Sequence, residues 1–216
     1  MASLSPADVL LQPVFNPVGG YASYVVPAAF MLILQQTLLI GAAMLTGSAL
    51  AKADGAFASV LGRGVAHLTI YLPALALYLI VLPRIYGFST LGHLPQLFAL
   101  GTVFLLATSF MGQAIGAWFK HPENATILLL ATSLPQFFTA GFAWPREAIP
   151  EAATAFGRIF PADSAIDGLV RINQLGAGLW EVAHDWFALW CLALVYFALA
   201  VISALAIKRG RENAQG

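Results

Sequence analysis

The sequence predicts an all-α integral membrane protein of about five transmembrane helices, with a short amphipathic or re-entrant helical hairpin on the outer side. Three observations predict it. Of 216 residues, 60% are hydrophobic and only 9% are Asp, Glu, Lys or Arg, whereas a soluble domain carries about 25% charged residues. The apolar residues fall in runs long enough to cross a bilayer, since a helix rises about 1.5 Å per residue and the hydrocarbon core is about 30 Å thick. Finally, Lys and Arg crowd the ends of alternate runs.

Residues 1–23 read as an extended outer segment. Pro6, Pro13 and Pro17 interrupt it, and no Lys or Arg occurs in its first 20 residues, so it lacks the positive start of a secretory signal. The first span covers 24–50 and carries no charge. Gln35 and Gln36 sit near its middle. An amide in hydrocarbon must find a partner, either an interhelical hydrogen bond or a polar lining on a translocation path or subunit seam. Gln113 and Gln136, in later spans, pose the same choice.

The next inside segment, 51–64, places Phe57, Val60 and Leu61 at i, i+3 and i+4, with Asp54 as a candidate cap. It reads either as a plain loop or as a short helix that docks into a cytoplasmic partner's groove. The second span is expected over 65–82 and the third over 94–117. Gly112 and Gly116 give the third span a G-x-x-x-G spacing that favours close packing within the chain over dimerisation. The fourth span is expected over 125–144.

Residues 145–185 differ: charged residues and further prolines appear. Ala152, Ala155, Phe156 and Ile159, then Ile166, Leu169, Val170 and Ile172, recur at helical spacing. This predicts two short amphipathic helices broken at Phe160-Pro161, the second capped by Asp163 or Ser164. They would lie on the membrane surface or dip into it. The last span, 186–207, stops at Lys208, Arg209 and Arg211, which open the tail 208–216.

The positive-inside rule sets a direction. With the C-terminus inside, the short inner segments hold Lys52, Arg63, Lys120, Lys208, Arg209 and Arg211. Arg84, Arg146, Arg158 and Arg171 are spread over much more chain outside. Five spans then leave the N-terminus outside, the arrangement of a chain that has lost its first span.

Several chemistries find no support. Ten basic residues balance ten acidic ones, so there is no basic footprint for nucleic acid. Cys191 stands alone, which excludes an internal disulfide or a cysteine metal cluster. His67, His93, His121 and His184 are scattered, without ligand spacing. There is no G-x-x-x-x-G-K-[ST], H-E-x-x-H or G-x-S-x-G motif. No charged residue lies deep in a span, which disfavours an ion-driven transporter. No catalytic, cofactor-binding or metal-binding residue is expected on this chain. A membrane enzyme acting on lipids would have to use His184, Asp185 and Glu181, which read better as the cap of a span.

Three blocks carry a resemblance: Phe15-Asn16-Pro17-Val18-Gly19-Gly20-Tyr21 through Leu34-Gln35-Gln36-Thr37-Leu38, then Ser133-Leu134-Pro135-Gln136-Phe137-Phe138 with Trp144-Pro145, then Phe160-Pro161 through Arg171-Ile172-Asn173-Gln174-Leu175-Gly176-Ala177. Together they resemble the exporter branch of the type-2 ATP-binding-cassette (ABC) permeases. The resemblance implies that the spans correspond to family helices two to six. It implies a permease subunit of an exporter in the bacterial inner membrane, multi-pass, with its C-terminus cytoplasmic. A separate ABC ATP-binding subunit would hold ATP and Mg²⁺, a second permease would complete the dimer, and a membrane-fusion adaptor is a further expected partner. Asp54, Phe57, Val60 and Leu61 would couple to the ATPase, Gln35, Gln36 and Gln136 would line the path or seam, and Pro161, Arg171, Asn173 and Gln174 would form the outer gate. A truncated, non-transporting membrane scaffold is the remaining alternative. The inner segment also lacks the Arg-Glu…Gly-Thr pattern common in such permeases.

Overall fold

The computed structural model describes residues 22–50, 55–87, 92–119, 121–141, 144 and 148–215, and no strand occurs among them. Helix α1 is Ala22–Leu50, α2 is Ala56–Ala76, α3 is Leu82–Tyr86, α4 is Leu94–Trp118, α5 is Pro122–Thr139, α6 is Glu151–Gly157, α7 is Pro161–Leu175 and α8 is Ala183–Gln215. Four described stretches are long and apolar enough to cross a membrane: Val25–Thr46, Ala56–Tyr86, Leu94–Trp118 and Ala183–Gly210. The remaining expected span, 125–144, becomes α5. It has 18 residues, about 27 Å of helix. It opens on Pro122-Glu123-Asn124 and ends at Thr139, so its apolar part is shorter than the sequence reading expects.

The second span is much longer than the expected 65–82, because α2 runs through a π-helical stretch, Leu77–Val81, into α3. Pro83 explains the π stretch. It has no N–H to give the carbonyl four residues back, and its ring crowds that carbonyl. The backbone relieves the conflict by slipping to wider bonds, such as Leu82 N–H to Leu77 O, the i→i+5 pattern of a π-bulge. At the other end, residues 56–63 are the first two turns of α2. They form neither a separate docking helix nor a loop, and this corrects the expectation for the inner segment. Gly62 and Gly64 look like breakers in sequence. Gly64 is instead buried, and a Cβ there would lie 2.5 Å from the Phe110 ring.

Helix α4 occupies the middle of the bundle, against α1, α2, α7 and α8. Its buried face, Leu97, Leu100, Phe104 and Leu105, meets Met31, Leu34 and Leu38 of α1 and Ile166, Leu169 and Ile172 of α7. The G-x-x-x-G spacing packs α4 on α1. A Cβ at Gly112 would stand 2.7 Å from Leu39 O, and one at Gly116 would stand 2.7 Å from Ala43 Cα. The pair therefore works within the chain, as its spacing suggests. At the C-terminal end of α4, Trp118 Nε1 donates to Ser203 Oγ of α8 at 3.0 Å.

The chain breaks at Phe160-Pro161, where the sequence reading places the break, with Phe160 at the N-cap and Pro161 in the first turn of α7. Neither Asp163 nor Ser164 caps the helix. Both lie inside it, and the N-cap residue, Phe160, makes no side-chain capping hydrogen bond. Gly176, at φ 67°, stops α7 in the left-handed conformation that glycine adopts without a Cβ penalty.

Candidate functional site

Most of the expected polar positions converge on one place. Gln35 is fully buried, thirteen residues into α1 and about 20 Å along its axis. Its Nε2 donates to Gln136 Oε1 of α5. Its Oε1 accepts the backbone N–H of Ala162, in the first turn of α7, at 2.6 Å. Gln136 Nε2 donates in turn to Thr132 Oγ1 at 2.9 Å. Pro161 has no N–H, so the Ala162 N–H is the first donor that α7 offers, and the amide of another helix satisfies it in place of a local cap. The hairpin of α6 and α7 therefore re-enters the bundle to the middle of α1. Tyr196 Oη of α8 donates to Ile159 O at 2.7 Å and holds the turn from the other side.

Gln35 and Gln136 are thus interhelical partners and line no open surface. Gln36 differs. Its Nε2 donates to Ser133 Oγ and to Leu129 O, the latter at 3.2 Å, while its Oε1 accepts no hydrogen bond. It borders an open groove of about 430 Å³ between α1 and α5, lined also by Leu32, Ile33, Thr37, Ser133 and Phe137. The groove is apolar except at Gln36, Thr37 and Ser133. Beside it α5 exposes Leu130, Leu134 and Phe138.

The four positions expected at the outer gate are not one cluster. Pro161 is at the tip of the hairpin. Arg171 lies ten residues on, about 15 Å along α7. Arg171 Nη2 donates to Glu181 O at 2.7 Å, and Nη1 stands 3.5 Å from Asp185 Oδ2. Asn173 is buried, and Gln174 is half-buried on the same last turns. Arg171 therefore ties the end of α7 to the start of α8. The trio considered for lipid chemistry is occupied by the same tie: Glu181 Oε2 accepts the Gly178 N–H at 2.6 Å, and Asp185 faces Arg171. His184 Nδ1 stands 3.7 Å from Asp185 Oδ1, and among the described residues no group of three His, Cys, Asp or Glu side chains is placed to hold a metal ion.

The positions expected to meet an ATPase divide. Asp54 lies outside the described residues. Val60 is completely buried against Phe110 and Ala114 of α4, so it is a core residue. Phe57 and Leu61 are exposed at 59% and 41%, which puts two apolar side chains on the surface of the first turns of α2. The Phe57 ring also meets Phe197 of α8 edge-on, centroids 5.1 Å apart.

A second polar node escapes the sequence reading. His67 Nδ1 lies 2.8 Å from Ser109 Oγ. Gln113 Nε2 lies 3.3 Å from both Ser109 Oγ and Val60 O. Gln113 is therefore the interhelical bond that its sequence position allows, between α4 and α2. The spacing of Ser109 and Gln113, four residues apart in a span, is the available signal for the node.

Comparison with known proteins agrees with this architecture. No curated protein matches the chain. The family model described as ABC-2 family transporter protein matches residues 3–202, nearly the whole length and every described helix but the last turns of α8. A multi-pass helical bundle, with a hairpin re-entering before its last span and that match along its length, belongs to the ABC-2 transporter family as a permease-type membrane component.

Proposed function

We propose that the chain is the transmembrane permease subunit of an ABC exporter, placed in a bacterial inner membrane with its C-terminus in the cytoplasm. The family implies an ATP-binding partner and dimerisation in general. In this reading ATP and Mg²⁺ belong to the separate ATPase, and no cofactor sits on this chain. The ATPase meets the exposed start of α2 at Phe57 and Leu61, and Asp54, two residues before α2 in sequence, belongs to the same coupling segment. A second permease, alike or related, pairs along the α1–α5 groove, so that Gln36 borders the path. The observation that carries the reading is the Gln35 junction. It joins α1, α5 and the re-entrant hairpin, so a shift of α1 against α5 must also move the hairpin that faces the far side. Such linked rigid-body motion is how alternating access is achieved. A membrane-fusion adaptor would then receive cargo on the hairpin side.

Affinity purification of the tagged full chain from native membranes tests this. The expected result is recovery of an ABC ATPase, reduced at least fivefold by joint replacement Phe57→Ala and Leu61→Ala. Recovery of no ATPase under conditions that retain other membrane complexes would overturn it.

A further inference from the structure

No charged residue lies deep in a span, yet the hairpin carries charge to the same depth. Tyr196, whose hydroxyl donates to Ile159 O at 2.7 Å, stands at the middle of the membrane-length stretch Ala183–Gly210. Arg158 is the residue before Ile159. Gln35, which accepts the Ala162 N–H, stands at the middle of Val25–Thr46, and Asp163 is the residue after Ala162. Two spans therefore agree on the depth of the hairpin tip. It sits about halfway through the bundle, with an arginine on one side of the turn and an aspartate on the other.

Arg158 keeps its charge at any working pH, and it is exposed on the outside of the single chain. It lines a cleft of about 430 Å³ between α7 and α8, together with Asp163, Ser164, Asp167, His184 and Asp185. Asp163, Asp167 and Arg171 recur every four residues, so α7 presents one charged stripe about 12 Å long. The stripe runs from the hairpin tip to the Arg171–Asp185 contact. His184, its side chain 89% exposed, marks the outer end. Hydrocarbon does not suit such a space. An ionisable group at mid-bilayer is costly, and at that depth it faces protein or a water-filled cavity. The polar lining is continuous from His184 down to Arg158, and the volume holds roughly ten or more waters at about 30 Å³ each.

We propose that the α7–α8 cleft is an aqueous vestibule. Water enters beside His184 and reaches the hairpin tip at mid-depth, so a small water-soluble solute meets Arg158 without crossing lipid. The vestibule shares no lining residue with the α1–α5 groove. It requires only that the bundle sits in a membrane, so its failure and failure to recover an ATPase are separate results.

The chain carries its own probe. Cys191 is its single cysteine, lines the cleft and lies about 12 Å beyond the start of α8. A thiol reacts as the thiolate, which forms in water and not in hydrocarbon. The full chain, in membranes opened so that both faces are reached, is treated with trimethylammonioethyl methanethiosulfonate, a permanently charged reagent that does not enter lipid. Access from both faces makes the result independent of orientation. Modification of Cys191 is expected. In a Cys191→Ser background, Val195→Cys is then compared with Leu194→Cys. The two positions differ by about 1.5 Å in depth, and both side chains are exposed, at 53% and 63%, so neither change disturbs the core. Val195 lines the cleft and Leu194 does not. Val195→Cys should react at least fivefold faster. An unreactive Cys191, a ratio below fivefold, or modification that appears only after detergent replaces the bilayer would overturn the proposal. The last result would mean that lipid or another chain fills the cleft.

Discussion

Gln35 and Gln36 are adjacent in sequence and identical in chemistry, yet they do different work. A helix turns about 100° per residue, so one side chain points into the bundle and the other onto the groove. Gln35 serves two partners, Gln136 and the Ala162 N–H. Gln36 donates to a hydroxyl and to a helical carbonyl at the groove edge. Replacing Gln35 by Leu strands a backbone donor and an amide oxygen inside the protein, at a cost of about 1–3 kcal/mol. Gln36→Leu, at a half-buried position, should cost less than about 1 kcal/mol. Thermal unfolding in detergent is expected to rank the two in that order; equal midpoints would contradict the junction.

Packing between elements depends on the glycines of α4. Gly116→Leu would push a side chain into the backbone of α1 at Ala43, and overpacking of this kind costs about 1–3 kcal/mol. Gly62→Leu is the matched control, because nothing lies within 4 Å of a Cβ there. Loss of folded protein, measured by fluorescence-detected size exclusion, is expected for Gly116→Leu alone.

Much at this scale is legible in the sequence. An uncharged apolar run announces a long helix, and 24–50 falls within Ala22–Leu50. Pro161 announces the break in the hairpin because proline cannot continue a helix that precedes it. The start of α2 is misread because the expected span follows the apolar run from 65, while the packing of Gly64 on Phe110 is invisible in one dimension. The partners of Gln35 lie 101 and 127 residues away. No local pattern reports them.

Across the whole molecule the hairpin and the charged tail lie at opposite ends of α8, which fixes a direction that labelling can read. In a Cys191→Ala background, a membrane-impermeant maleimide applied to intact cells should label Trp180→Cys and spare Asn213→Cys. The reverse pattern would invert the topology. Trp180 is 88% exposed and Asn213 is exposed as well, so shielding would not explain a negative result at either position in the single chain.

Helix α5 has one more consequence. Between its polar first turn and Thr139, α5 offers about 15 residues, a height of about 22 Å, against a hydrocarbon core about 30 Å thick. In the membrane placement proposed above, lipid tails beside α5 would have to shorten or splay to meet it. Two such helices placed side by side share one deformed annulus instead of maintaining two. Hydrophobic mismatch would thus add a lipid-borne attraction to the proposed pairing along the α5 face, where Leu130, Leu134 and Phe138 stand exposed.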